Sequence, residues 1–264
     1  MDFDFKYVIY EKIDGVAWIT LNNPEQHNAL NYEMRKELKV ALEDAGKDER
    51  VRIIVLKGSG KAFSAGADLR IYLELKPLEA TNWLREVGTS LVLTKIIRNI
   101  PKPVVAAVHG YCLGGGFELT MGCDIIIASE EAIFGQTEVN VGLIPGGGGT
   151  QILPRLIGEK KAKELIFTGN MVSAKEMMEL GLVNKVVPSN RLIDAVNEFA
   201  EKIKSKSPII IAFAKEAINV SLETNLMEGL RYEALLFAQL FETEDQKEGA
   251  RAFLEKRKPE WKGK

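Results

Sequence analysis

The chain has 264 residues, of which 46% are hydrophobic, enough to bury a substantial core in one large domain or in a core with a smaller appendage. Its 35 Lys and Arg residues nearly balance its 37 Asp and Glu residues, so its charge gives no reason to expect a nucleic acid or an anionic membrane as the main partner. Residues 1–6 do not resemble a signal peptide, and no apolar run approaches the roughly 20 residues that span a bilayer, so we expect a cytoplasmic protein.

The first two thirds of the chain alternate between predicted strands and helices. Residues 16–21 form an apolar run that predicts a strand, and the turn residues Asn22-Asn23-Pro24 follow it. An apolar stripe with helical spacing comes next, and its members are Leu30, Met34, Leu38, Ala41 and Ala45. Three further apolar runs predict buried strands over residues 51–57, 104–108 and 125–128. This alternation indicates an α/β architecture.

From about residue 159 onward the pattern becomes helical. The helical candidates cover residues 161–167, 174–179, 191–204, 208–221 and 225–241. No flexible linker separates this part from the α/β part, so we expect the two to pack closely. We divide the chain into a core over residues 1–195 and a helical C-terminal region over residues 196–264.

Two glutamates next to glycine-rich backbone give the strongest indication of function. Glu118 ends the run Gly114-Gly115-Gly116-Phe117-Glu118, which follows a predicted strand and opens a helix. Glycines at a helix start leave N–H groups unobstructed, and Glu118 lies one turn further along the same face as Gly115. This helix start therefore offers an oxyanion donor together with a carboxylate. Taken alone, Glu118 is equally well explained as an acid that the helix dipole stabilises.

The second glutamate, Glu138, follows Gly135-Gln136-Thr137 and has apolar neighbours. Burial makes a carboxyl group harder to ionise, which suits a proton donor near neutral pH. Two other segments consist mostly of small residues, Ser64-Ala65-Gly66-Ala67 and Gly146-Gly147-Gly148-Gly149. Their backbone can approach a ligand closely, although a plain turn or hinge remains an alternative for each.

Fragments of other enzyme classes also occur in the sequence. Gly58-Ser59-Gly60-Lys61 resembles part of a phosphate loop, but it lacks the first glycine and the final Ser or Thr. A serine hydrolase would need Ser64 to be served by His109 and by an acid such as Asp124, and the sequence offers only the residue types. The two cysteines and two histidines form no metal-ligand spacing, so we expect no bound metal.

Taken together, these segments resemble the enoyl-CoA hydratase, or crotonase, family. The matching motifs follow the family's order along nearly the whole chain. They are Phe63-Ser64-Ala65-Gly66-Ala67-Asp68-Leu69, Gly110-Tyr111-x-x-Gly114-Gly115-Gly116-x-Glu118-Leu119, Cys123-Asp124-Ile125, Phe134-Gly135-Gln136-x-Glu138, Gly142-x-Ile144-Pro145-Gly146, Gly149-Thr150-Gln151, the run from Thr243 to Gly249 and the run from Ala252 to Arg257. The resemblance implies a crotonase-like spiral of ββα units and a helical C-terminal trimerisation region, assembled as trimers or as a dimer of trimers.

The resemblance also implies roles for individual residues. The N–H groups of Ala67 and Gly115 would hold the thioester oxygen of an acyl-CoA substrate. Glu118 would activate water as the general base, and Glu138 would deliver or remove the proton at Cα. The other residues that it implies at the substrate or coenzyme A site are Lys61 near the phosphates, Phe63, Ala65, Gly66, Asp68, Leu69, Gly114 and Gly146, with Phe253 and Lys256 reaching a neighbouring subunit's coenzyme A.

The glutamate pair decides among the reactions known in the family. An isomerase can shuttle a proton with one carboxylate, whereas adding water requires a base for the water and an acid for Cα. We therefore predict an enoyl-CoA hydratase that adds water across the 2,3 double bond of a trans-2-enoyl-CoA. An isomerase or another acyl-CoA lyase or hydrolase of the family is the alternative. We expect no separate cofactor, because coenzyme A is part of the substrate.

Three features leave binding properties open. Glu25-Gln26-His27 stands where many relatives carry a basic residue, so the grip on coenzyme A would rest more on Lys61. Some relatives bind RNA, but a solvated helix face explains the basic stretches 160–163 and 256–258 more simply, and we expect no nucleic-acid partner. Acyl-chain preference depends on residues such as Ile71, Tyr72, Leu73, Trp83, Leu84 and Val87.

Overall fold

A six-stranded sheet forms the larger of two sheets in the computed structural model, which describes residues 3–73, 75–76 and 90–264. Its strands, in spatial order, are β1 (Val8–Ile13), β2 (Val16–Leu21), β3 (Ile53–Gly58), β5 (Val104–Val108), β7 (Ile125–Ser129) and β10 (Lys185–Val187). The β1–β2 pair is antiparallel and the other neighbours are parallel. The predicted strands over residues 16–21 and 104–108 are confirmed, and the one expected from residue 51 begins at Ile53.

The second sheet has four strands of three residues each, which the sequence analysis did not predict. They are β4 (Ala62–Ser64), β6 (Tyr111–Leu113), β8 (Ile133–Gly135) and β9 (Met171–Ser173), in that order. Strands β4, β6 and β8 are parallel, and β9 is antiparallel to β8. Three residues are too few to show the alternation of apolar and polar side chains that identifies a strand.

The two sheets are joined by repeated ββα units. Strands β3 and β4 lead to helix α2 (Ser90–Asn99), β5 and β6 lead to α3 (Gly115–Gly122), and β7 and β8 lead to α4 (Gly149–Ile157). In every unit the first strand belongs to the larger sheet and the second strand to the smaller one. The structure therefore has the spiral core that the family resemblance implied.

Both faces of the larger sheet are covered by helices. Helix α1 (Tyr32–Lys47) packs its apolar stripe with Ile54 and Leu56 of β3, while helix α7 (Leu192–Lys204) packs on the opposite face with Ile53 and Val55. Successive side chains of a strand point to opposite faces, so a strand buried on both sides needs a continuous apolar run. The run Ile53-Ile54-Val55-Leu56 meets that need, because all four side chains are fully buried.

Leu30 lies outside the helix to which its spacing assigned it. Asn31 caps α1 by accepting a hydrogen bond from the Met34 N–H at 2.8 Å, so the helix begins after Leu30. Leu30 instead forms an isolated parallel bridge with Ala67, and its N–H donates to the Gly66 carbonyl at 2.7 Å. The chain entering α1 is thereby held against the segment that carries a predicted oxyanion donor.

The remaining helices follow the core directly. They are α5 (Glu159–Thr168), α6 (Ala174–Glu179), α8 (Pro208–Ser221), α9 (Leu226–Gln239) and α10 (Glu244–Leu254), together with α7. The helices predicted over residues 174–179 and 208–221 match their observed bounds, whereas α10 was not predicted. The boundary placed after residue 195 lies inside α7, which packs on the larger sheet, and the division of the chain into two regions stays a prediction. Across the described ranges, every helix is too short or too polar to cross a membrane.

A buried lysine fastens the C-terminal helices to the core. Lys215 of α8 is only 9% exposed, and its Nζ donates to the Ile97 carbonyl at 2.8 Å and to the Lys102 carbonyl at 3.0 Å. The same ammonium group pairs with Asp124 Oδ2 at 2.8 Å. Asp124 Oδ2 also accepts a hydrogen bond from the N–H of Val104, the first residue of β5, at 2.7 Å. One ammonium group therefore connects α8, the end of α2 and the central strands.

We expect Lys215→Met to lower the free energy of unfolding by about 3 kcal/mol. The substitution removes the ion-pair partner of Asp124, whose carboxylate is largely buried. Chemical denaturation followed by circular dichroism measures this loss. The double variant Lys215→Met/Asp124→Asn should recover part of it, and Lys202→Met, which removes an exposed lysine, should change the stability by less than about 0.5 kcal/mol. Equal stability of the Lys215 and Lys202 variants would contradict the assignment.

Candidate active site

A cavity of about 250 Å³ adjoins the N-terminal end of α3. Among the described residues, its wall contains both predicted catalytic glutamates and both predicted oxyanion donors. The predicted site residues in the wall are Glu118, Glu138, Ala67, Gly115, Ala65, Gly66, Leu69, Gly114 and Gly146. The structure thus brings together four segments, of which the first begins at Ala65 and the last contains Gly146.

Glu118 is held by the glycine run that follows residue 145. Its side chain is buried, and Oε1 accepts hydrogen bonds from the Gly147 N–H at 2.6 Å and the Gly149 N–H at 2.9 Å. The run therefore binds a carboxylate of this chain, whereas the sequence analysis expected a ligand contact or a hinge. Backbone N–H donors of this kind orient the carboxylate and stabilise its ionised form.

Opposing effects set the proton affinity of Glu118. Burial raises its pKa above the ordinary value for glutamate, while the N–H groups of Gly149 and Gly147 and the positive charge of Arg35 lower it. Arg35 is itself buried and lines the same cavity. The sequence analysis missed Arg35, and the available signal was an arginine within the otherwise apolar stripe of α1.

Glu138 begins a short 3-10 turn, Glu138–Val141, just beyond the end of β8, and is half-buried. Burial raises the pKa of Glu138 to about 7, and the negative charge of Glu118 adds to this rise. With its amide nitrogen turned toward Glu138, the fully buried Gln136 donates to both carboxyl oxygens at 3.2 Å. This donor opposes the rise, because an N–H group favours the ionised carboxylate. Sequence reasoning placed Gln136 in a motif without giving it a role.

The segments that carry Ala67 and Gly115 touch at Gly66. Gly66 has φ of +99°, and a Cβ at this position would lie 2.9 Å from the Leu113 carbonyl and 3.4 Å from the Gly115 nitrogen. Only glycine tolerates both this backbone conformation and this close approach. The two predicted oxyanion donors, in Ala67 and Gly115, therefore stand on adjoining stretches of backbone in the cavity wall.

Ser64 has a structural role that rules out the serine-hydrolase hypothesis. Its buried hydroxyl donates to the Asn28 carbonyl at 2.8 Å and accepts from the Gly66 N–H at 3.2 Å. The other two members of the hypothetical triad are engaged elsewhere, His109 with the Gly60 carbonyl at 3.0 Å and Asp124 with Lys215. The serine hydroxyl thus fixes the turn before Ala67.

Some predicted substrate contacts lie outside the cavity wall formed by the described residues, namely Lys61, Phe63, Asp68, Phe253 and Lys256. Phe63 is fully buried in the hydrophobic core, so its side chain is not available to a ligand. Asp68 pairs with Arg70 at 2.6 Å. Lys61 is exposed, as are Phe253 in α10 and Lys256 just beyond it. Contacts of these three exposed side chains with coenzyme A stay predictions.

The residues proposed to set acyl-chain preference are described only in part. Ile71, Tyr72 and Leu73 belong to a short 3-10 helix, Leu69–Leu73, and Tyr72 lines the cavity. Trp83, Leu84 and Val87 lie outside the described residues. Among the residues that the structure does describe, no group of three or more His, Cys, Asp or Glu side chains is placed to hold a metal ion.

Comparison with known proteins identifies the family of the chain. The sequence matches the family model for enoyl-CoA hydratase/isomerase over residues 11–264. It is 46% identical over 254 residues to a protein of Dictyostelium discoideum named a probable mitochondrial enoyl-CoA hydratase, covering 96% of this chain and 90% of that protein. It is 43% identical over 257 residues to the short-chain-enoyl-CoA hydratase of Clostridium acetobutylicum, covering 96% of each. The crystal structure of an enoyl-CoA hydratase from Bacillus anthracis has a TM-score of 0.92 at 39% identity, covering 98% of this chain and 100% of that one.

Gly149→Ala tests how tightly the glycine run that binds Glu118 is packed. A Cβ at residue 149 would lie 2.6 Å from the side-chain amide group of Gln136 and 2.7 Å from Pro145 Cβ, so the loop or its neighbours must shift. We expect the free energy of unfolding to fall by about 2 kcal/mol, as in an overpacked core. Gly229→Ala in α9 is the matched control, because its Cβ meets only Thr224 at 3.6 Å and alanine favours a helix. Urea denaturation should separate the two variants, and a common midpoint would refute the expectation.

Proposed function

The chain belongs to the enoyl-CoA hydratase/isomerase family, and we propose that it is an enoyl-CoA hydratase. It would add water reversibly across the 2,3 double bond of a trans-2-enoyl-CoA and give a 3-hydroxyacyl-CoA. One observation supports this activity most strongly. The buried Glu118 and the half-buried Glu138 share one cavity with the backbone of Ala67 and Gly115. The names of the relatives from Dictyostelium and Clostridium agree with this activity.

The geometry supports a division of labour in which the pair carries one proton. Glu118 receives two backbone N–H groups and acts as the ionised base that takes a proton from water. Glu138, whose pKa is raised by burial and by the Glu118 charge, holds the proton that goes to Cα. The N–H groups of Ala67 and Gly115 stabilise the enolate oxygen that forms between these two steps. In the reverse direction the two carboxyl groups exchange roles: Glu138 takes the proton from Cα, and Glu118 gives a proton to the leaving water.

An isomerase is the second candidate, and the same pair of glutamates argues against it. Moving a double bond requires one group to carry a proton from one carbon to another, so a single carboxyl group suffices. Here Glu118 and Glu138 both line the cavity, and both have raised pKa values through burial. Two such carboxyl groups can supply both the acid and the base that water addition requires.

We also propose that the chain forms trimers or dimers of trimers, as the family resemblance implies. The last helices expose large apolar side chains, a surface typical of subunit interfaces. These side chains are Leu226, Met227, Leu230, Leu235 and Phe237 in α9 and Phe253 and Leu254 in α10. In such an assembly Phe253 and Lys256 would reach a neighbouring subunit's coenzyme A.

Other binding proposals follow the sequence analysis. Lys61 would contact the phosphates of coenzyme A, and no cofactor beyond the substrate is proposed. An RNA partner is not favoured, because ion pairs offset part of the charge of the basic stretches: Lys161 pairs with Glu176 at 3.1 Å, and Arg257 pairs with Glu248 at 2.6 Å. The cytoplasmic location stays a prediction.

Replacing each glutamate by glutamine tests the proposed roles. We expect Glu118→Gln and Glu138→Gln each to lower kcat/KM for crotonyl-CoA by about 10²–10⁴-fold, the usual contribution of a general acid or base. The loss of enoyl-thioester absorbance measures hydration. Glu130→Gln is the matched control, since it changes an exposed glutamate outside the cavity wall. Full activity in either cavity variant would sink the assignment.

The pH dependence gives a second test. Hydration needs one proton on the pair, so kcat/KM should fall as the pH rises through about 7, where Glu138 loses its proton. It should also fall in acid, where Glu118 becomes protonated. Initial rates with crotonyl-CoA at concentrations well below KM measure this profile. A profile without a falling limb near pH 7 would contradict the role of Glu138 as the acid.

A further inference from the structure

Arg35 is a buried cation in the cavity wall that the proposed reaction leaves without a role. It lies in the first turns of α1, and only 1% of its surface is exposed. Among the described residues that line the cavity, it is the only lysine or arginine. A buried arginine retains its positive charge, and burying that charge is costly unless hydrogen bonds and nearby negative groups compensate.

The guanidinium group is connected to the oxyanion segment through one residue. Arg35 Nε donates to the Leu30 carbonyl at 3.0 Å. The Leu30 N–H donates to the Gly66 carbonyl at 2.7 Å, and Leu30 forms a bridge with Ala67. A displacement of Arg35 would therefore shift the backbone that faces Ala67. Reactions of this kind are sensitive to misplacement of catalytic groups by about 1 Å.

The charge of Arg35 also acts on Glu118, whose pKa it lowers. The charged and titratable groups that interact with Arg35 are Tyr72 and Asp68 on the segment after β4 and Glu118 on α3, and Glu138 lines the same cavity from its 3-10 turn. Tyr72 shares a side-chain hydrogen bond with Arg35. Asp68 already has a partner in Arg70, with 2.6 Å between the charged atoms. Glu118 is therefore the cavity glutamate whose pKa the charge of Arg35 lowers, and Glu138 faces the same cavity.

We propose that Arg35 is a positioning residue for the hydration reaction, which anchors the oxyanion segment through Leu30 and holds the two cavity glutamates at a single shared proton through its positive charge. The inference rests on the proposed function. It adds a role that neither glutamate and neither oxyanion donor supplies. The positive charge favours every ionisation of the pair, so its loss moves both limbs of the pH profile in the same direction.

Three substitutions separate charge from hydrogen bonding. Arg35→Gln removes the charge but keeps an N–H donor for the Leu30 carbonyl, Arg35→Lys keeps the charge, and Arg35→Met removes both. Lys36→Met is the matched control, because it removes one positive charge from the next residue of the same helix, where the side chain is 45% exposed. The pH profile of kcat/KM for crotonyl-CoA is measured for each variant.

In Arg35→Gln we expect both limbs of the bell to move to higher pH by about 1 unit, the low end of the effect of a nearby opposite charge. The rate at the new optimum should stay within about tenfold of the wild type, because the donor to Leu30 is retained. Arg35→Lys and Lys36→Met should keep the wild-type curve position. Arg35→Met should show the shift together with a further loss at the optimum.

Several outcomes would overturn the proposal. An unshifted pH profile in Arg35→Gln refutes the role of the charge. An equal loss of kcat/KM at all pH values in every Arg35 variant means that Arg35 acts only through packing, which also refutes the proposal. If Arg35→Met does not fold, the comparison of Arg35→Gln with Arg35→Lys still tests the role of the charge. Infrared titration of the buried carboxyl groups follows the same protonation without turnover. If the wild type is inactive but its carboxyl titration shifts in Arg35→Gln, the proposed function is refuted. The effect of the Arg35 charge on the protonation of the carboxyl groups is then still supported.

Discussion

The hydrogen bonds from Gly147 and Gly149 to one oxygen of Glu118 are the constraint on which the rest of the site depends. Glu118 stands in a helix whose eight residues are all buried, so its carboxyl group must find donors within the protein. Those donors come from Gly147 in the loop before α4 and from Gly149, the first residue of α4, so the bonds fix the start of α4 against α3. The same helix start carries Gly115, so one buried carboxylate sets the relative position of the base and an oxyanion donor.

The second glutamate obtains its properties from the first. Glu138 is less buried than Glu118, and the negative charge of Glu118 makes the ionisation of Glu138 harder. Gln136 favours the ionised form of Glu138 in the opposite sense, and the positive charge of Arg35 lowers the pKa of Glu118. Two identical residue types can therefore serve as base and acid because their surroundings differ, which is a common way to separate proton affinities in an active site.

Much of this fold was predictable, and the failures have identifiable causes. The helix over residues 208–221 was found with its observed bounds because Ser207 caps it, Pro208 begins it and an apolar pattern follows. Strand β5 was found because it is a continuous apolar run after two prolines. The smaller sheet was missed because its strands have only three residues. Leu30 was assigned to α1 because its spacing fits the stripe, but Asn31 ends that continuity by capping the helix.

The sequence by itself determined the α/β architecture, the helical C-terminal part and the two glutamates with their glycine-rich neighbours, because these depend on local spacing and residue type. Only the tertiary structure decided which groups meet. It joined the glycine run to Glu118, placed Gln136 against Glu138 and put Arg35 in the cavity wall. It also placed Ser64 and Phe63 in supporting positions away from the cavity. The contact between the glycine run and Glu118 joins two different ββα units, and Arg35 reaches the cavity from α1, so spacing in the sequence carries no signal of this proximity in space.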